Sequence, residues 1–258
     1  MTRFIILLSF FVLLVSACKK DPLEEEEPIT PVTPTGSLKI EFDNMFDTLD
    51  LGLDTVNYIL DNGDKIKVSI FKYYISNIKL TDSDGKEFAE TESYHLIDES
   101  NPASQKFTIT GVPIKNYTSI TFMIGVDSAR NVSGAQTGAL SANNNMFWTW
   151  STGYIFAKLE GISQQSTAPS NSVAFHIAGF KGANSALKII SPTFNGSTAN
   201  VSSTVTPTIY IKCNLKEWFI NPTTISLATT NNITTVSTTS KMIADNYADM
   251  FTIEHIHN

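Results

Sequence analysis

The sequence is poor in the residues from which most catalytic and metal-binding motifs are assembled. It has two cysteines, and Cys18 ends an apolar N-terminal run. Cys213 is therefore left without an internal disulfide partner, and since it reads as a buried small hydrophobe on its strand, a Cys/His zinc cage has no spare cysteine to draw on. Apart from residues 5–15, which are too short to cross a bilayer, no segment is apolar enough to span one. Basic residues number 18 against 25 acidic ones, for a net charge of -7. With no basic patch, this balance argues against a nucleic-acid partner. Also missing are a nucleophile elbow, a phosphate-binding loop, a dinucleotide fingerprint and a His-Glu-x-x-His helix. Asp127-Ser128 with a distant histidine is too common a combination to count as a triad. Asp98 and Glu160 form a carboxylate pair for glycoside chemistry only if their separation suits it, which one sequence does not set. The expectation is a non-enzymatic protein.

What is present begins with an export signal. Arg3 precedes the apolar stretch, and Val15-Ser16-Ala17-Cys18 has the small residues that a lipoprotein signal peptidase accepts before a cysteine. This predicts a signal peptide over 1–17, cleavage before Cys18 and lipidation of its thiol, so that the membrane is reached through an anchor. An ordinary secretory signal cleaved after Ala17 is the alternative. Residues 18–37 follow with Lys19-Lys20, a run of four glutamates and, after it, Pro28, Pro31 and Pro34 among threonines, the composition of a disordered stalk. Lysines and acidic residues directly after a lipidated cysteine also resemble the export tag of surface lipoproteins in one group of Gram-negative bacteria. The expected location is the outer membrane, facing outward, with a periplasmic orientation second.

From 38 to 258 the dominant hydrophobic period is two. Leu38, Ile40 and Phe42 alternate with Lys39 and Glu41; residues 65–80 are β-branched and aromatic; Ile209, Ile211, Cys213 and Leu215 share one strand face. Asp61-Asn62-Gly63-Asp64 and Asp82-Ser83-Asp84-Gly85 are tight turns. Residues 221–240 read as polar strands and loops, 242–247 as a short helical turn, and 250–257 as a strand. No internal repeat is visible. The predicted fold is all-β, an antiparallel β-sandwich or open barrel in a single domain with short helical turns at most.

Two of the three tryptophans fall within residues 146–161. In an extended chain Met146, Trp148 and Trp150 share a face, and Tyr154 follows the Ser151-Thr152-Gly153 corner. Such a surface is core packing, a stacking platform for a sugar or another organic ligand, or the wall of a soft-metal site. His255 and His257 stand two apart on the predicted 250–257 strand, on one face with Phe251 and Ile253, unless that tail is frayed. His176 alternates with Val173, Phe175 and Ile177, between Ala174 and Ala178. His95 reads as structural. Imidazole and thioether donors favour copper over harder ions, and the acidic stretch 43–54 lacks the spacing of a calcium loop.

Several of these pieces, in order, resemble the methanobactin-associated copper-binding (MbnP-like) family and its lipoprotein members. They are Phe71-Lys72-Tyr73-Tyr74-Ile75-Ser76-Asn77-Ile78, Tyr94-His95-Leu96-Ile97-Asp98, Ile124-Gly125-Val126-Asp127-Ser128 with Asn131, and Gly138-Ala139-Leu140. Met146-Phe147-Trp148-Thr149-Trp150 through Glu160-Gly161, Phe175-His176-Ile177, and Met250-Phe251 to His257 complete the set. The tryptophan stretch is the specific part. The resemblance implies a β-rich periplasmic or surface domain that binds copper through histidines, with a tryptophan oxidised to kynurenine by a partner dihaem oxidase. Carried over by residue, it makes His176 the first ligand candidate, Trp148 or Trp150 the modifiable ring, and His255 and His257 the next ligands. An outer-membrane transporter is the other expected partner. A sugar-binding surface module and a structural accessory of an uptake complex are the competing expectations.

Overall fold

The computed structural model describes residues 33–134, 136–148 and 153–258. Cys18, the stalk as far as residue 32, and Trp150 lie outside the described residues. In chain order the strands are β1 (Thr35–Phe46), β2 (Leu49–Asp50), β3 (Tyr58–Ile59), β4 (Lys65–Asp82), β5 (Glu87–Ala89), β6 (Tyr94–Asp98), β7 (Lys106–Pro113) and β8 (Asn116–Ile124). They continue with β9 (Ala157–Ile162), β10 (Ser172–Ile177), β11 (Lys188–Ile190), β12 (Ala199–Asn200), β13 (Thr208–Asn214), β14 (Asn232–Ile233) and β15 (Phe251–His257). Two α-helical segments, α1 (Ser128–Asn131) and α2 (Thr238–Tyr247), and several 3-10 turns complete the described chain.

The strands form two curled sheets, so the all-β sandwich expected from the period-two pattern is what folds. One sheet runs β15-β13-β1-β2, with β7 also on β1; the other runs β11-β8-β4-β9-β10-β14, with β12 on β8 and β3, β5 and β6 on β4. Pairing is antiparallel except for β1–β13 and β10–β14, which are parallel. β1 takes in Thr35 to Ser37 as well, pairing them with β7, so the sheet starts just before the point where alternation becomes visible.

Alternation decides which side chains meet between the sheets. Phe42 on β1 and Phe251 on β15 face Tyr73 on β4 and Phe122 on β8, with ring centroids 5.2–6.3 Å apart in edge-on contacts. Edge-to-face packing suits the ring quadrupoles and adds to the burial of each ring. A polar strut crosses the same core: Tyr73 Oη donates to Asn44 Oδ1 at 2.8 Å, and Asn44 Nδ2 donates to Glu99 at 2.9 Å. Cys213 is fully buried, as its strand position predicted, and burial pushes its thiol well above the usual range. Trp218 is also core; its Nε1 points at Met250 Sδ, 3.2 Å away.

Three local expectations change. Residues 221–240 hold only the two-residue β14, and their end already belongs to α2. That helix starts earlier than the apolar pattern shows because Ser237 caps it, accepting from Ser240 N. The third change concerns the His-x-His strand. The β13–β15 register shifts between Tyr210 and Ile211, which places an extra residue, Glu254, in β15. Phe251 and Ile253 remain inward, while Glu254, His255 and His257 are exposed. His255 and His257 therefore share a face with each other and not with Phe251 and Ile253.

β9 lies inside the large sheet, with β4 on one side and β10 on the other. A Cβ built on Gly161 would stand 2.3 Å from the Lys67 carbonyl oxygen and 3.2 Å from Val68 Cα, both rigid backbone. Gly161→Ala is expected to destabilise the fold by about 1–3 kcal/mol through overpacking, read as a lower urea midpoint. Gly85→Ala, which has open space around it but a positive φ, supplies the comparison for strain without a clash.

Candidate metal centre

The outer face of the large sheet is not left to water. β4 is buried on both faces over Tyr73 to Ser76, and the outward residue Tyr74 donates to Ala139 O at 2.8 Å. The described residues between Val126 and Phe156 lie over it and include α1. Asp127 caps α1, accepting from Ala129 N and Arg130 N. Asn131 then ties the segment down: its amide donates to Val126 O and Asp127 O, and its Oδ1 accepts from Tyr154 N at 2.8 Å. Tyr154 Oη donates to Leu140 O at 2.7 Å, and its ring stands edge-on to Tyr74 at 5.8 Å. On either side of residues 149–152 the chain is tied together by the Phe147–Tyr154 bridge and the Ile155 N to Met146 O bond of 2.8 Å.

Under this cover the register aligns a row of polar side chains across four strands. Asp98 on β6 is opposite Lys72 on β4, Lys72 is opposite Lys158 on β9, and Lys158 is opposite His176 on β10. Lys72 Nζ pairs with Asp98 at 2.7 Å. Glu160 Oε1 receives both Lys158 Nζ at 3.1 Å and His176 Nε2 at 2.8 Å. Lys158 Nζ also reaches Asn145 O at 3.4 Å, touching the covering segment.

The electrostatics define the state of His176. Burial holds its pKa below the usual imidazole value; the Glu160 hydrogen bond works against that and the Lys158 ammonium with it. Burial alone would raise Glu160, but the hydrogen bonds from His176 and Lys158 outweigh it and keep the carboxylate ionised below its usual value. A neutral imidazole facing an ionised carboxylate must carry its proton on Nε2. Nδ1 is then an unprotonated lone pair. It is buried, and no hydrogen bond reaches it among the described residues. A carboxylate that orients one ring nitrogen so that the other can bind a metal is a recurrent arrangement in metalloproteins.

The other expected ligands are elsewhere. His255 and His257 stand on the outer face of the five-stranded sheet, with the core between them and His176. Among the described residues no three His, Cys, Asp or Glu side chains converge on one point. The expected meeting of three imidazoles beside the indoles is thus not formed. Trp148 is buried and lines a cavity of about 170 Å³ with Tyr154, Ala178, Phe180 and Lys181. Ala178 lies two residues beyond His176. Trp148 and Tyr154 make no open stacking platform, because both are almost completely covered. Asp98 and Glu160 are each paired with a lysine of the row, Asp98 with Lys72 and Glu160 with Lys158, and these partners outweigh burial to hold both carboxylates below their usual pKa. His95 is structural, stacked on Phe107 at 3.6 Å and paired with Glu90.

Residues 35–239 match the family model for MbnP. The chain belongs to the MbnP family. Among solved structures, MbnP from Methylosinus trichosporium is similar over 79% of this chain and 83% of its own, with 14% identity and a TM-score of 0.52. At that identity the likeness is one of fold. No curated protein matches the sequence. In this MbnP family member Lys158 is the site residue that sequence reasoning passed over, and Glu160 entered it only as half of a carboxylate pair with Asp98, not as the partner of His176. Their signal was present: both fall on the outward positions of β9, with His176 outward on β10.

The lowered pKa of His176 has a consequence for stability. The unfolded chain takes up a proton near the ordinary value of 6.5, where the folded imidazole resists it. His176 therefore contributes stability above that pH which is lost as the pH falls through and below it. Between pH 7.5 and 5, the urea midpoint of the wild type is expected to fall more steeply than that of His176→Gln.

Proposed function

We propose that this MbnP family member is a lipid-anchored, non-enzymatic protein of the cell envelope that binds copper at His176. The observation that carries the proposal is the buried lone pair on His176 Nδ1, with Nε2 already committed to Glu160. These residues fit a soft ion of low coordination number. They supply one oriented neutral imidazole, with the buried thioether of Met146 and the ring of Trp148 on the segment covering the same sheet face. Zinc and calcium need three or more Cys, His or carboxylate donors, and among the described residues no three of these converge. When bound, copper would supply a transferable soft cation; Glu160 holds the ring, Lys158 balances its charge, and the covering segment excludes water.

Family likeness supports the rest of the reading: capture or hand-over of copper, a tryptophan at 148 or 150 oxidised by a dihaem enzyme, and an outer-membrane transporter as neighbour. Lipidation at Cys18 and outward display at the outer membrane rest on the N-terminal sequence. A second reading, an organic ligand in the cavity beside Trp148, is favoured by the Phe180 ring and the Lys181 ammonium among its lining.

Copper(I) titration against a competing chelator tests the proposal. The wild type is expected to take up one equivalent, His176→Ala to lose it, and Glu160→Gln to bind about 10–100-fold more weakly, as for lost outer-shell partners of metal ligands. No uptake, or uptake indifferent to His176→Ala, would sink the copper assignment and leave the organic ligand. Cys18→Ala is expected to move the protein from the membrane to the soluble fraction.

A further inference from the structure

The chain has two Asn-Gly pairs, Asn62-Gly63 and Asn195-Gly196. In such a pair the glycine amide nitrogen can attack the carbonyl carbon of the asparagine side chain, and glycine has no Cβ to obstruct the approach. Whether the two groups meet depends on what else holds them. The fold treats the two pairs differently.

Both asparagines are exposed, so access to solvent does not separate them. Asn62 is locked by its neighbours. Its Nδ2 donates to Asp64 Oδ2 at 3.0 Å and to Ile225 O at 3.1 Å, and its Oδ1 accepts from Asp64 N at 3.0 Å. The attacking nitrogen is engaged as well, since Gly63 N donates to Leu60 O at 2.9 Å. Asp64 is itself anchored, accepting from Leu227 N at 2.7 Å. Turning the Asn62 amide onto Gly63 N therefore breaks several hydrogen bonds together.

Asn195 stands in the connection between β11 and β12. No hydrogen bond involves its side chain or Gly196 N among the described residues. Space around Gly196 is open, with nothing within 4 Å of the position a Cβ would take. Asn195 and Gly196 both have positive φ, 52° and 83°, in a turn closed by the Ser197 N to Phe194 O bond of 2.9 Å. An exposed turn closed by so few bonds opens locally at low cost, and opening frees the side chain to meet the amide.

We propose that Asn195 is a site of spontaneous covalent modification, converting through a cyclic imide to aspartyl and isoaspartyl residues, while Asn62 is protected by the fold. Water is the one co-reactant. As Gly196 N bonds to Asn195 Cγ it gives up its proton, the Cγ–Nδ2 bond breaks, and the side-chain nitrogen leaves as ammonia. Water then opens the imide at either carbonyl, and nothing is oxidised or reduced. Opening at Cγ gives aspartate; opening at the backbone carbonyl gives isoaspartate, which routes the main chain through the former side chain and lengthens it by one carbon beside the buried ring of Phe194. Both products place a carboxylate where a neutral amide stood.

The test incubates the full chain in mildly alkaline buffer, folded and in urea, and follows both peptides by mass spectrometry, with circular dichroism confirming that each folded sample stays folded. In urea the two asparagines are expected to react at similar rates. In the folded protein Asn195 is expected to react and Asn62 to lag it by about tenfold or more, the factor given by a barrier higher by about 1.4 kcal/mol. Asp64→Ala, which takes away one partner of Asn62, is expected to narrow that gap. Asn195→Gly, which suits the positive φ, is expected to leave the slow reaction at Asn62 alone. Equal rates at the two sites in the folded wild type, Asn195 intact where the unfolded chain reacts, or a gap unchanged in Asp64→Ala would overturn the proposal.

Discussion

The structure depends on one strand having both faces covered. β4 is 18 residues long and pairs with five other strands, and its central residues meet the other sheet on one side and the Val126-to-Phe156 segment on the other. Burial of Tyr73 inward and Tyr74 outward is the same constraint seen from its two sides. Each hydroxyl has a partner, Asn44 for one and Ala139 for the other, so neither phenol leaves an unsatisfied polar group in the interior. The aromatic content of the 71–74 stretch is what makes a two-sided core affordable for a chain of this size.

That cover also creates the candidate metal centre. A histidine on an open sheet face would bond to water through both nitrogens. Here the overlying segment removes the water, Glu160 takes one nitrogen, and the other is left as a buried lone pair. Lys158 prevents the carboxylate from being an uncompensated buried charge, and its contact with Asn145 links the site to the tryptophan turn. Position, protonation state and shielding of His176 thus follow from a single packing event. On the opposite outer face, on the five-stranded sheet, no such cover is formed by the described residues, and His255 and His257 are exposed.

Most of the sheet faces were legible in the chain, because side-chain direction on a strand follows from alternation alone: Leu38, Ile40 and Phe42 face inward, and Ile209, Ile211 and Cys213 do the same. Alternation failed where the backbone breaks step. Glu254 inserts one residue into β15 and carries His255 and His257 off the face that Phe251 and Ile253 occupy. Nothing in Phe-Thr-Ile-Glu-His-Ile-His marks the bulge, since it arises from pairing with β13. Capping failed in a smaller way at α2, where Ser237 starts a helix before its first apolar residue.

The sequence alone determined the strand-rich class, the inward residues of each unbroken strand and the likeness to MbnP. All of these depend on local order or on matching residues along one chain. Which strands lie side by side was decided only in three dimensions. The row Asp98, Lys72, Lys158, His176 draws on four strands spread over 105 positions, counting from Lys72 to His176 inclusive, and no local pattern can set a register between segments so far apart. The same holds for the separation of His176 from His255 and His257: their distance along the chain says nothing about the hydrophobic core that folding puts between them.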